Sequence, residues 1–541
     1  MPRVIVLDNL SPDGLRLLDA CGEIDYEVRT GLKGDELRAG LLEFDGAICR
    51  SGVKITAEAL EGNNRLKVIA RAGVGTDNID TAMATRMGIV VMNTPGGNTI
   101  STAEHAITLM LALSRNVHPA YQSLIEGRWD RKQYMGTQVA GKTLGIIGLG
   151  RVGQAVATRA VALEMQVVGY DPFLPAARAR ELGITSCDNF RDLLPQVDYL
   201  SVHTPLTDDT RDLIGAEEIN VMKPGVRLIN CARGGIFNAQ ALVEGLKSGQ
   251  IGGVALDVFD SEPCTDIPLF GLPNVLCTPH LGASTEEAQA NVAVEAAQLL
   301  IDFFTSGVIK SSVNMSPLDP ATLDDLGGHL DLAHRLGLLL AQVSEGPPIR
   351  CQLKYEGEVA NKDCRLLTAA FGAGLLEHAL DLDVNIVNAS LLLRDRGIEV
   401  VEQRSGEIGA YGSLITAEVV SQQRTAIASG TLFANRPRLV RKGESHLECR
   451  LEGILMLFNH RDVPGVIGKM GSIFGRHQIN IADMSVGRGT SAPGGAAVGV
   501  LTLDSQPPAE ALSEVLALEP LDRAWIVKLP PAGETPAWLG R

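Results

Sequence analysis

The sequence predicts an α/β protein of several domains. Two observations predict it. Short apolar strand-like runs alternate with helical runs through most of the chain, and the final folded stretch, residues 453–528, reads strand, helix, strand, strand, helix, strand. Alternation of that kind implies parallel sheets with both faces covered. The terminal order is that of a ferredoxin-like unit.

The first unit opens with a strand at 3–8 and continues with apolar runs at 45–49, 66–70 and 89–92, separated by helical segments. A long helical stretch at 102–126 follows. Its apolar coverage is wide, from Ala103 and Ala106 to Met110, Leu111 and Leu113, which predicts a buried helix at a domain or subunit interface. Residues 127–136, GRWDRKQYMG, form a basic and aromatic loop. A second unit starts near Gly141. Its first strand, 143–147, runs into Gly148-Leu149-Gly150-Arg151-Val152-Gly153, a helix at 154–163, a strand at 166–170 and Asp171.

That context makes G-x-G-x-x-G a dinucleotide signature. Gly148 allows the tight turn, Gly150 lets backbone N–H groups approach a pyrophosphate, and Gly153 lets the helix pack close on its strand. Asp171 is placed to accept hydrogen bonds from ribose hydroxyls. A carboxylate there repels a 2′-phosphate, so the expected cofactor is NAD. Further strands are expected at 199–203, 227–231, 253–258 and 275–278, then a helix at 285–304 and strand-like residues 312–314 that return to the first unit.

Residues 315–320, MSPLDP, read as a linker. Beyond them a helix is expected at 321–343, strands at 350–357, 398–403 and 413–421, and a helix at 365–380, with no chemical motif. The last unit is expected to hold strands at 454–459, 481–486, 496–503 and 525–529 and helices at 466–477 and 509–517. The tail PPAGETPAWLGR reads as loose.

Composition narrows the function classes. The 541 residues suggest three or four domains. With 48 basic and 64 acidic residues the net charge is −16, which argues against nucleic acid or an anionic membrane as partner. Nine scattered cysteines without a C-x-x-C pair predict free thiols, no zinc or other metal site, and a reducing compartment. No apolar run approaches the length of a membrane span and the N-terminus lacks an extended apolar leader, so the expectation is a soluble cytoplasmic protein.

Three residues carry candidate chemistry. Arg233, Glu262 and His280 each follow an expected strand of the nucleotide-binding unit, and ligands of open α/β sheets bind outside the carboxyl ends of strands. His280 can take a hydroxyl proton near neutral pH, Glu262 can orient it and stabilise its protonated form, and Arg233 offers a planar fork to a carboxylate. Singly, each is more often structural; their joint placement beside one nucleotide fold favours hydride transfer.

NCARGG around Arg233, DVFDSEP at 257–263 and TPH ending at His280 resemble the D-isomer-specific 2-hydroxyacid dehydrogenases. So do ARAGVGTDNID at 70–80, NTPGGN at 93–98 and GIIGLGRVG at 145–153. Residues 316–450 and 453–528 resemble the intervening allosteric substrate-binding (ASB) domain and the ACT regulatory domain of long-form members. The resemblance implies a flavodoxin-like substrate domain at 1–97, completed by 282–314, and a Rossmann-type NAD domain at 98–281. An α+β intervening domain and a ferredoxin-like ACT domain follow.

It also implies NAD-dependent oxidation of 3-phospho-D-glycerate in a homo-oligomer, a tetramer in preference to a dimer. The implied catalytic set is Arg233, Glu262 and His280, with cofactor contacts at Arg151, Val152, Asp171, Thr204, Ala232 and Asp257 beside the glycines. Substrate contacts are implied at Arg50, Arg71, Asn98, Arg131 and Lys132. An L-serine effector site is implied at His460, Asp462 and Asn480. Two rivals stay open: a reductase of another 2-oxo acid such as hydroxypyruvate, glyoxylate or 2-oxoglutarate, and an NADH-sensing binding protein of the co-repressor type.

Overall fold

The computed structural model describes residues 1–272, 274–380, 383–489, 494–536 and 538. The chain forms two compact units: Met1–Asn9, Arg16–Asn93 and Ala296–Arg541 in one, Leu10–Leu15 and Thr94–Glu295 in the other.

The first sheet belongs to the first unit. It holds β1 (Arg3–Val6), β2 (Asp25–Val28), β3 (Gly46–Cys49), β4 (Val68–Arg71) and β5 (Val90–Asn93), all parallel, in the order β2-β1-β3-β4-β5. That is the flavodoxin-like order. Strands β1, β3, β4 and β5 are largely apolar and buried. β2 is absent from the sequence reading because its residues DYEV lie exposed at the sheet edge and lack an apolar run. Residues 311–314 return to this sheet beside β5. Asn93 N donates to Ser311 O (3.2 Å), Val313 N donates to Val91 O (2.9 Å), and Met92 pairs with Ser312. Asn314 secures the return: its Oδ1 accepts from Val91 N (2.9 Å) and its Nδ2 donates to Ile89 O (2.9 Å) and Thr85 Oγ1 (3.0 Å).

The second unit is built on β6 (Thr143–Ile147), β7 (Gln166–Tyr170), β8 (Ile184–Ser186), β9 (Tyr199–Val202), β10 (Val226–Asn230), β11 (Ile251–Leu256) and β12 (Val275–Cys277). All are parallel, in the order β12-β11-β10-β9-β6-β7-β8. Counted from β6, this is the Rossmann order with a seventh strand, and the order reverses between β6 and β9. Helices Thr99–Ser114 and Arg151–Ala162 cover one face, where Ala103, Ala106, Met110, Val156, Ala157 and Ala160 are buried against Leu144 and Ile146.

One expectation is corrected here. The stretch 102–126 is two helices, Thr99–Ser114 and Val117–Ile125, broken at Asn116, which takes φ 51°. Asn enters that left-handed region at lower cost than most residues. Only the first helix is buried; the second leaves Tyr121, Leu124 and Ile125 exposed.

In the first unit a third sheet comprises β13 (Pro348–Gly357), β14 (Glu399–Ser405), β15 (Ser413–Ser421), β16 (Thr425–Phe433), β17 (Arg436–Lys442) and β18 (Ser445–Arg450), in the order β14-β13-β15-β16-β17-β18. Only β13 and β14 pair in parallel. Helices Pro320–Val343 and Cys364–Leu376 pack face to face, so closely that a side chain at Gly337 would overlap the Phe371 carbonyl. This sheet has three strands more than the sequence reading. β18, SHLECR, alternates buried and exposed residues, and its polar members hide the strand from a search for apolar runs.

The fourth sheet, β19 (Ile454–Arg461), β20 (Ile481–Arg488), β21 (Ala496–Leu503) and β22 (Leu521–Lys528), is antiparallel in the order β20-β21-β19-β22. Its helices are Val466–Arg476 and Ala509–Leu516, so the arrangement is ferredoxin-like.

The C-terminal tail is not loose where it is described. Arg335, 2% exposed, donates to the carbonyls of Pro530 (2.6 Å), Pro531 (3.3 Å) and Glu534 (2.6 Å). Residues 537 and 539–541 of that tail lie outside the described residues. Among the described residues no helix is long and apolar enough to cross a membrane.

Candidate active site

β6 ends in the glycine turn. Gly148 takes φ 90°, and a Cβ there would come within 2.6 Å of His203 O and 2.9 Å of Thr204 Cγ2, just past the end of β9. The turn therefore sits where the strand order reverses, the usual ligand crevice of such sheets. Gly150 caps the helix Arg151–Ala162, and nothing lies within 4 Å of where its side chain would project. A side chain at Gly153 would overlap the Gly148 carbonyl oxygen, so helix and turn approach as only glycine permits.

Asp171 follows β7. Its Oδ2 accepts from Leu149 N (2.8 Å), inside the turn, and its Oδ1 from Phe173 N (2.8 Å). A carboxylate has about four acceptor positions, so capacity remains for ribose hydroxyls. Thr204 Oγ1 is buried beside the turn without a hydrogen-bond partner. An open helix N-terminus, an inward-facing acid and an orphaned hydroxyl fit a dinucleotide. Arg151 is exposed on this turn, and Val152 and Ala232 are half-buried.

The ends of β10, β11 and β12 supply the other groups. Asn230, 2% exposed, closes the β10 turn: its Oδ1 accepts from Ala232 N (2.9 Å) and its Nδ2 donates to Arg233 O (2.8 Å). Arg233 Nη1 donates to Ala232 O (2.7 Å). Beyond β11, Glu262 Oε1 accepts from Phe259 N (3.0 Å) and Oε2 lies 2.6 Å from His280 Nδ1. Facing a carboxylate, Nδ1 carries the proton and Nε2 is left as the base. His280 takes φ 56°, a conformation that costs a non-glycine residue about 1–3 kcal/mol and persists where its surroundings enforce it.

Three family models match the chain: "D-isomer specific 2-hydroxyacid dehydrogenase, NAD binding domain" at residues 107–282, "D-3-phosphoglycerate dehydrogenase intervening domain" at 325–442 and "ACT domain" at 454–520. A Methanocaldococcus jannaschii D-3-phosphoglycerate dehydrogenase is 39% identical over 98% of this chain and 100% of its own length. One from Archaeoglobus fulgidus is 40% identical over 97% and 100%. The chain belongs to the D-3-phosphoglycerate dehydrogenase family. Solved structures align with part of it. A protein from Thermus thermophilus is 34% identical with a TM-score of 0.51, covering 57% of this chain and 99% of that one. A glyoxylate reductase from Paecilomyes thermophila is 28% identical with a TM-score of 0.52, covering 58% and 98%. As a member of this family the chain carries an NAD-binding domain, and NAD is its cofactor.

Asp257, implied as a cofactor contact, follows β11. Its carboxylate is 1% exposed and turned into the protein. Thr278 Oγ1 (2.6 Å), Leu281 N (2.7 Å) and His105 Nε2 (3.2 Å) approach Oδ1, and Gly282 N (2.8 Å) donates to Oδ2. Burial raises its pKa, but the donors outweigh burial and hold the carboxyl below its usual range. Sequence reasoning missed His105 and Thr278. His105 lies on a distant helix, and only its hydrogen bonds reveal it.

Of the expected substrate residues, Arg50 and Arg71 stand at the carboxyl ends of the paired strands β3 and β4 of the first unit, and Asn98, Arg131 and Lys132 belong to the second. Arg50 N donates to Asp8 Oδ2 (2.6 Å) and its Nη1 to Asn9 O (3.0 Å). The Arg71 guanidinium lies over Gly73, where φ is 147° and any side chain would overlap it. Asn98 precedes the helix Thr99–Ser114, and its Oδ1 is buried without a partner. Arg131 and Lys132 sit on an exposed loop with Trp129.

The expected effector residues have separate partners. His460, 2% exposed, contacts Arg461 O through Nδ1 (2.8 Å). Asp462 pairs with Arg488 (2.7 Å), and Asn480 Nδ2 donates to Asp504 Oδ2 (2.6 Å). Arg488 thus occupies the carboxylate expected to meet an effector ammonium.

Proposed function

We propose that this chain is the enzyme that oxidises 3-phospho-D-glycerate to 3-phosphooxypyruvate, the first step of phosphorylated L-serine biosynthesis. The observation that carries the reading is the 2.6 Å pair of Glu262 and His280 at the carboxyl ends of a Rossmann sheet, in a chain whose full-length relatives are D-3-phosphoglycerate dehydrogenases.

Arg233 binds the substrate carboxylate as a fork of donors. His280 Nε2 takes the proton of the hydroxyl that is oxidised, and Glu262 holds Nδ1–H and stabilises the imidazolium that forms. Bound NAD supplies the hydride acceptor. The balance is one hydride to the cofactor, one proton to His280, and a C–O single bond become a carbonyl. Reduction runs through the same residues in reverse. Arg50, Arg71, Asn98, Arg131 and Lys132 are the proposed substrate contacts, the cations among them serving the phosphate.

Residues 1–97 with 282–314 are proposed as the substrate domain, 98–281 as the NAD domain, 316–450 as the intervening domain and 453–528 as the ACT domain. The ACT domain supports regulation by L-serine through His460, Asp462 and Asn480, once Arg488 releases Asp462. A cytoplasmic homo-oligomer, preferably a tetramer, completes the reading.

The test is a paired assay of NAD reduction with 3-phosphoglycerate and with unphosphorylated glycerate, each with and without L-serine. The expected result is turnover that requires the phosphate and falls with serine. Equal rates on the two acids overturn the substrate. A rate indifferent to serine overturns the effector alone.

A further inference from the structure

The helix Thr99–Ser114 meets the His280 segment with three side chains from one face. Ser101 Oγ donates to Gly282 O (2.7 Å), Thr102 Oγ1 donates to the same oxygen (3.3 Å), and His105 reaches Asp257 and Thr278. Positions 101 and 105 are one helical turn apart, so a single helix face delivers both contacts.

The network places a hydrogen on His105 Nε2. Asp257 is held ionised and accepts only. The Thr278 hydroxyl gives its one hydrogen to Asp257 Oδ1 at 2.6 Å and has only lone pairs left for His105. His105 Nε2 lies 3.0 Å from Thr278 Oγ1 and 3.2 Å from Asp257 Oδ1, so it faces two acceptors and must carry a hydrogen shared between them. Asp257 also accepts from the backbone N–H groups of Leu281 and Gly282.

Those bonds bracket His280 on both sides. Thr278 is two residues before it; Leu281 and Gly282 follow it. His280 itself sits at φ 56° with its imidazole on Glu262. Glu262 sets the ring, and the Asp257 network sets the backbone that presents the ring.

We propose that His105 is a positioning residue for the oxidation. Through Asp257 and Thr278 it holds the 278–282 segment so that His280 Nε2 meets the substrate hydroxyl in one orientation. His105 touches no substrate in this account; its effect passes through the carboxylate and the backbone. The proposal rests on the reading of His280 as the acid and base of the reaction.

The test compares His105→Leu with His105→Gln in the full-length protein. Leucine fills the volume and donates nothing, whereas the glutamine amide reaches about as far as Nε2 and always donates. Misplacing a reacting group by an ångström costs on the order of a hundred-fold, so H105L should lower kcat by about ten- to a hundred-fold. KM and the NADH dissociation constant should stay within about three-fold, because the lost interaction acts on the chemical step. H105Q should recover most of the rate.

Overturning results are an H105L enzyme with unchanged kcat, an H105Q enzyme no better than H105L, or an equal loss in NADH affinity. If H105L does not fold, Thr278→Val against Thr278→Ser carries the same comparison, the hydroxyl being required for the rate. A His280→Ala enzyme is run in parallel. General acid–base groups contribute about a hundred- to ten-thousand-fold. If H280A keeps its turnover, the role of His280 fails and the positioning role with it. If H280A is inactive and H105L is not impaired, only the positioning role fails.

Discussion

At the residue scale, the decisive feature is that Glu262 uses both oxygens. Oε1 accepts from Phe259 N and Oε2 faces His280 Nδ1. Glu262→Gln would leave the amide oxygen with Phe259 N–H and turn the NH₂ toward His280. Nδ1 would then have to accept, and the proton would move to Nε2, the wrong tautomer for a base. The expected outcome is a kcat at least about a hundred-fold lower, with NADH binding retained in a fluorescence titration. Arg233, Glu262 and His280 were legible as candidates because each falls just past a strand of a recognisable nucleotide fold. Asn230, Thr278 and His105 were not, because an ordinary polar residue announces nothing until its partners are known.

At the element scale, β5 is completed by residues 311–314, more than 200 positions away in sequence. The Asn314 side chain makes four hydrogen bonds there, two of them to backbone groups of residues 89 and 91. Asn314→Ala would strand those groups, and an unsatisfied buried polar group costs about 1–3 kcal/mol. The expected result is a loss of that size in denaturant unfolding, with the family's NAD site intact. The apolar runs of the inner strands were readable in sequence because burial on both faces demands them. The edge strand β2 and the alternating strand β18 were not, since half or more of their side chains face solvent.

At the scale of the whole molecule, Arg335 gathers chain ends. It pairs with Asp331 (2.8 Å), donates to Leu451 O (3.1 Å) before the last sheet, and takes three carbonyls of the tail. Arg335→Ala would leave Asp331 buried and unpaired, a change that typically costs about 3–5 kcal/mol. It should also release residues 530–534 to limited proteolysis, which the parent protein should resist.

On the acid side, stability depends on a buried histidine. His329 is buried, and burial pushes its pKa down to about 4, with the Lys362 charge adding to the shift. In the unfolded chain it takes up a proton near its ordinary value of about 6.5. A depressed histidine therefore contributes stability that is present above about pH 6.5 and lost as the pH falls toward 4, at most about 1.4 kcal/mol per pH unit. Tm should fall between pH 7 and 4.5, and His329→Leu should make that fall shallower.

The amino-acid sequence by itself determined the fold class, the dinucleotide turn and the preference for NAD. Glycine spacing, strand periodicity and one acid are local properties that no distant contact can reverse. Tertiary structure alone decided that the helix 102–126 breaks at Asn116, that the tail is clasped by Arg335, and that Asp257 turns inward to join His105 and Thr278 behind His280. Each of these depends on a hydrogen-bond partner or a packing surface supplied by residues far along the chain. A buried donor or acceptor is obliged to find such a partner, but nothing in its neighbours' identities says which one it will be.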